Sequence, residues 1–153
     1  MKAPAPQRGI ALIEFSLVLI FTTIAVLGVS FLARGIWHAT VLHKAAYQAA
    51  RIVAAMPEDV FRNDSARTAI PAVARRIFLE VAADAGLESV PAADDIAASC
   101  DAGTCTTVMP QQIIVRAQII YLDPLFGHSV PVMAGVKHGL IIDAVGRVPY
   151  AAD

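Results

Sequence analysis

The sequence predicts an α+β chain: a long N-terminal helix, membrane-spanning in its first half, and a second helix packed on a small antiparallel β-sheet. Three observations carry this expectation. From Ile10 to Ala33 the residues are apolar around one charge, Glu14. An Ala-rich helical pattern continues over 34–56, and a second helical pattern follows at about 66–85. Two later stretches, at about 111–122 and 136–148, alternate apolar and polar residues with the period of two that marks strands. The chain is 57% hydrophobic, against about half for a soluble domain, and the excess lies in the N-terminal run and the Ala-rich stretches. The net charge of -1 gives no bulk attraction to nucleic acid.

At helical rise the segment 10–33 is roughly 35 Å long, enough for a ~30 Å hydrocarbon core. An α-helix satisfies all of its backbone groups in lipid, so a single-pass anchor is the first reading. The alternative is a cleaved secretory signal, but this apolar run exceeds the about 7–15 residues of such signals. The only imitation of a small-residue cleavage site, Gly28–Ser30, falls inside the helical pattern. The leader 1–9 carries Lys2 and Arg8 and no acidic residue. Short positive tails stay cytoplasmic, whereas a long following domain translocates largely regardless of its charge. The N-terminus is therefore expected inside and residues 34–153 outside.

Gly9, four further residues, then Glu14 and Phe15, set between a short basic leader and an apolar helix, resemble the processing site of type IV prepilins. The stretch RGIALIEFSLVLIFTTIAVLGV followed by HKAAYQAARIVA is similar to the TadE-like proteins, minor pilins or pseudopilins of the tight-adherence (Flp) pilus. The resemblance covers Arg8–Ala55, about a third of the chain, and is only general beyond it. It implies that a prepilin peptidase cuts after Gly9, that Ile10 becomes the new N-terminus, and that Glu14 becomes the fifth mature residue. It also implies an inner-membrane protein with a periplasmic head, whose partners are other major or minor pilins and Tad assembly components. For Glu14 two readings stand. It pairs with the amine freed on a neighbouring subunit's Ile10, because charges in a low-dielectric bundle are tolerable only as pairs. Or it snorkels to the headgroups, lying barely one turn into the helix.

Beyond the anchor, Trp37 suits either the headgroup layer or the core of the head. Pro57 ends the first helix. In the second helix Val73, Ile77 and Val81, with Ala74, Phe78 and Ala85, are expected to form the apolar stripe, with Arg75, Arg76, Glu80 and Asp84 facing away. Pro71 falls near its beginning or forces its start there. Gly86 suits a C-terminal cap. The first strand pattern places Ile113, Val115, Ala117, Ile119 and Tyr121 on one face. The second places Val136, His138, Leu140, Ile142, Ala144 and Val148 together, opposite Lys137, Ile141, Asp143, Val145 and Arg147. A hairpin alone is marginal, so it must pack on the helices, with a short further strand expected near the cysteines.

Cys100 and Cys105 enclose Asp101 and Gly103, two turn formers that bring the thiols together. Outside the cytoplasm a disulfide is the expected state, with free buried thiols the alternative. Two cysteines make no tetrahedral zinc set. The four histidines are scattered, and Asp94–Asp95 reads as a solvated loop rather than a catalytic dyad. No metalloprotease, Walker, nucleophile-elbow or dinucleotide motif occurs, so neither an enzyme nor a cofactor is expected. The function expected is a minor pilin or pseudopilin, held in the membrane until extracted and taking part in pilus assembly. The other class in play is a bitopic envelope protein whose head is a binding module and never polymerises.

Overall fold

Helix α1, Arg8–Ala54, joins the expected anchor and the expected first head helix in one element. The computed structural model describes residues 8–87, 91–101, 103, 105, 109–121 and 140–150. The chain divides into two units, Met1–Gly35 and Ile36–Asp153. In the first, large apolar side chains from Leu12 to Leu32 stand exposed. The hydroxyls of Ser16, Thr22, Thr23 and Ser30 donate to the carbonyls of Ile13, Val18, Leu19 and Val26, each at 2.8 Å. Those polar groups are satisfied within the helix, which makes the surface compatible with lipid. By length and composition this helix is able to cross a membrane.

In the second unit burial on α1 becomes one-sided. Val41, Leu42, Ala45, Ala46, Ala49, Ala50 and Val53 are buried, a repeat of about four residues that presents one helix face to the core. The helix stops short of the expected 56. The amides of Ala55 and Met56 still donate to Arg51 and Val53, at 3.1 Å each, and Pro57 then turns the chain extended.

The stretch that reads in sequence as a polar connection holds a short helix, α2, Glu58–Arg62. Phe61 is fully buried and anchors it, and the Arg62 Nε donates to Glu58 at 2.9 Å. Helix α3, Asp64–Asp84, begins before the expected 66. Its start is set by Asn63, whose side-chain oxygen accepts from the amides of Ser65 at 3.0 Å and Ala66 at 3.3 Å. This is ordinary N-cap chemistry. Pro71 lies inside the helix, where it removes one backbone donor. The buried stripe is Ile70, Ala74, Phe78 and Ala82: Ala74 and Phe78 stand in it as expected, whereas Val73 is exposed and Ile77, Val81 and Ala85 are half-buried. Phe78 is the largest side chain of the stripe and centres it, where the sequence pattern centres on β-branched residues. Arg75, expected to face away, is half-buried, and its Nε is buried with no hydrogen-bond partner among the described residues. Gly86 does cap α3, at φ +73. Its amide donates to Ala83, and that of Leu87 to Ala82, the pairing of a Schellman end.

A 3₁₀ turn, Ala93–Asp95, leads into the expected short strand, β1, Ile96–Cys100. Strands β2, Gln112–Tyr121, and β3, Leu140–Pro149, complete an antiparallel sheet of order β1-β2-β3. Of the second strand expected over 136–148, residues 136–139 lie outside the described residues, as do 122 and most of the leader, 1–7. The predicted inner face of β2 is buried throughout. On β3, Ile142 and Ala144 are buried while Leu140 is exposed. Gly146 sits on the same face, opposite Val115. A Cβ placed there would stand 2.3 Å from the Ala46 carbonyl oxygen, so the sheet meets the α1 backbone directly at this point. Farther along, the Tyr121 ring lies 4.4 Å from the His38 ring.

Candidate functional site

The predicted processing residues open α1. Arg8, Gly9 and Ile10 have helical backbone. A peptidase needs an extended bond, so cutting between Gly9 and Ile10 requires the first turn to unwind. That turn is the cheapest to lose, because its leading amides have no intrahelical acceptors and Gly is a poor helix former. Glu14 and Phe15 follow on the same helix, both exposed. Among the described residues no hydrogen bond or ion pair engages Glu14. Beyond it, Phe15, Val18, Leu19, Thr22, Thr23, Val26 and Leu27 line a shallow apolar groove of about 460 Å³ along the helix. With the threonine hydroxyls turned to the backbone, that groove offers methyl groups and suits lipid or another apolar helix. Trp37 is exposed, so it is no core residue of the head.

Cys100 and Cys105 form a disulfide, with Cα atoms 4.6 Å apart and both side chains buried. The turn formers between them act as the sequence suggests. Asp101 takes a left-handed backbone, φ 56. Its carboxylate accepts from the amides of Gln111 at 2.8 Å and Gln112 at 3.0 Å. Gly103 exchanges both backbone hydrogen bonds with Cys100. Asp101 thus ties the loop to the start of β2 by its side chain and by its amide, which donates to the Gln112 carbonyl, while the disulfide closes the loop onto the end of β1.

The remaining chemistry-bearing residues do not converge on one point. His38 is buried against Tyr121 and His43 is exposed. His128 and His138 lie outside the described residues. No three His, Cys, Asp or Glu side chains among the described residues are grouped as metal ligands would be. Asp94 and Asp95 are both exposed. With Arg116, Gln118 and Asp143 they line an open groove of about 420 Å³ on the sheet. There the Gln118 amide nitrogen donates to Asp143 at 2.7 Å. The sequence pattern does not foretell this groove. The alternation of β2 and β3 places Arg116, Gln118 and Asp143 on outward faces, but only the strand register brings them beside the turn at Asp94. Comparison with known proteins adds no relative to these findings: no protein-family model, no curated protein and no solved structure matches the chain.

Proposed function

We propose that the chain is a minor pilin or pseudopilin of a tight-adherence (Flp) type pilus, TadE-like in kind. On this reading a prepilin peptidase removes the leader after Gly9. Segment 10–33 anchors the protein in the inner membrane, with the N-terminus cytoplasmic and the head, 34–153, periplasmic. The protein then joins other pilins and the Tad assembly components. The observation that carries it is α1 itself. One helix begins at the Gly9–Glu14 motif, exposes an apolar surface through its first stretch, and from Val41 onward serves as a core helix of an α+β head. The Cys100–Cys105 disulfide supports an oxidising compartment for that head.

The test is the mass of the native N-terminus. In its own host, with an active prepilin peptidase, the wild-type chain should begin at Ile10. The Gly9→Leu variant should remain full length, since a bulky residue with strong helix propensity opposes the extended bond. A wild-type chain that keeps residues 1–9 there would remove the pilin reading and leave a bitopic binding module.

A further inference from the structure

We infer that the stretch 36–44 of α1 is a lipid-contacting face of the head, seated in the headgroup layer and selective for anionic phospholipid. These turns are sharply two-sided. His38, Val41 and Leu42 are buried in the head. On the opposite side of the helix Ile36 is 66% and Trp37 57% exposed, and Thr40, His43 and Lys44 are exposed with them. The Thr40 hydroxyl donates to the Ile36 carbonyl at 2.8 Å, which satisfies it within the helix. An indole beside an isoleucine on a bare surface calls for a partner that is apolar at one end and wet at the other.

Three observations choose lipid as that partner. The first is position. Trp37 follows Ala33, where the apolar run ends, by about 6 Å at helical rise. The headgroup layer of one leaflet is about 5–8 Å deep, so the indole falls within it, the depth at which tryptophan is enriched. The second is order. Along this face the residues run from aliphatic to aromatic to cationic, following the rise in polarity from hydrocarbon to water. Lys44 lies two turns beyond Trp37 on the same face. Side chains lean toward the N-terminus of a helix, so its ammonium is carried back toward the headgroups on an apolar stem.

The third is the sign of the charge. Between Glu14 and Glu58 the sequence has no acidic residue, whereas Arg34, Lys44 and Arg51 are basic. Nothing along this stretch of the chain repels an anionic surface, and each basic residue close to such a surface favours it about fivefold. Ile36 and Trp37 thus supply the depth of seating, and Lys44 supplies the preference for a phosphate without a neutralising choline. The proposal rests on the membrane anchor and not on cleavage at Gly9.

Trp37 is the only tryptophan of the chain, so its fluorescence reports this face alone. The experiment places the full-length chain in nanodiscs of phosphatidylcholine and phosphatidylglycerol. Trp37 should be shielded from acrylamide, and a spin label near the headgroup should quench it several-fold more than one at the end of the acyl chain. With each lipid brominated in turn, phosphatidylglycerol should be favoured around Trp37 about fivefold, and salt should erode that preference. Lys44→Gln and Lys44→Glu should both remove it while leaving Trp37 at its wild-type depth, which shows that the variants are folded and seated. Trp37 open to acrylamide and untouched by the lipid labels would overturn the proposal and leave the face to a protein partner. Equal quenching by the two lipids, or a preference that survives Lys44→Glu, would overturn it as well. A chain that does not enter nanodiscs sinks the anchor and the lipid face together, whereas one that enters with Trp37 in water sinks the lipid face alone. The native N-terminal mass tests the pilin reading independently of either result.

Discussion

Gly146 is the residue on which the head's packing is most sharply set. Glycine inside a strand sacrifices side-chain packing and is usually present because another backbone comes close. Here the neighbour is the Ala46 peptide, and a Cβ would meet its oxygen at 2.3 Å and its carbon at 2.4 Å. Neither atom is the end of a flexible side chain, so β3 or α1 must shift. Gly146→Ala should therefore destabilise the protein by about 3 kcal/mol, the upper part of the overpacking range. Thermal melting followed by near-UV dichroism would register this as a lowered midpoint. An unchanged midpoint would mean that the strand yields freely. The strand's alternation in the sequence predicts which face is buried, but it is silent on why a glycine occupies one of those buried places. A glycine at a core-facing position is the only clue, and it gains its meaning from the alanine-lined helix that lies opposite.

At the scale of elements, the same difference recurs between what local pattern encodes and what packing decides. The N-cap at Asn63, the Schellman end at Gly86 and the inner face of β2 follow from short-range chemistry, and of these Gly86 and the β2 face are legible in the sequence. The buried stripe of α3 is legible in part: Ala74 and Phe78 lie where the pattern puts them, but Val73 fits the same helical period and is left exposed, a choice made by packing rather than by periodicity. Helix α2 escapes a reading of periodicity because five residues carry too little of it, although Phe61 in a polar stretch marks something apolar to bury. The Cys100–Cys105 bridge is legible from the turn formers it encloses. It fixes the end of edge strand β1, which pairs with β2 from Ile96 to Cys100. Cys100→Ser should cost about 2 kcal/mol by the chain-closure estimate for so short a loop. Reductant should lower the midpoint of the wild type to a similar degree while leaving that of the variant unmoved. A wild-type protein whose thiols alkylate without reduction would contradict the bridge.

Taken whole, the chain assigns lipid-compatible and core-forming roles to successive stretches of a single helix, and Glu14 is the exception in the first. Exposed on an isolated helix, it gains little from its position, and a charge at the centre of a bilayer costs about 3 kcal/mol on insertion scales. Its value on the pilin reading arises in the assembly, where the amine freed at Ile10 of a neighbour can neutralise it. Glu14→Ala should accordingly insert, since the segment becomes more apolar, and should still be cut, since the leader and scissile bond are untouched. It should fail to co-purify with partner pilins or to support piliation. Normal piliation with wild-type recovery of partners would reduce Glu14 to a snorkelling residue. The fold class and the Gly9–Glu14 spacing are both legible in the sequence, because hydropathy and spacing are local signals. The groove at Asp94, Arg116 and Asp143 is not, because it exists only once three strands are aligned.

The contact between Ala46 and Gly146 also imposes an order on biosynthesis. The helix face that needs covering is made early, and β3, which covers it, is the last described element to leave the ribosome. Until β3 is made, the α1 backbone at Ala46 lacks the strand that packs on it, and local helix formation cannot supply it. Contacts so remote in sequence are slow to form, and an apolar face waiting for its partner is open to wrong associations. The head therefore closes at Ala46 after β3 has been made rather than before. Any premature stop before Leu140 would leave a chain with a long apolar N-terminal run, an exposed sticky helix face and nothing to complete it, a species suited to quality-control proteolysis rather than to assembly.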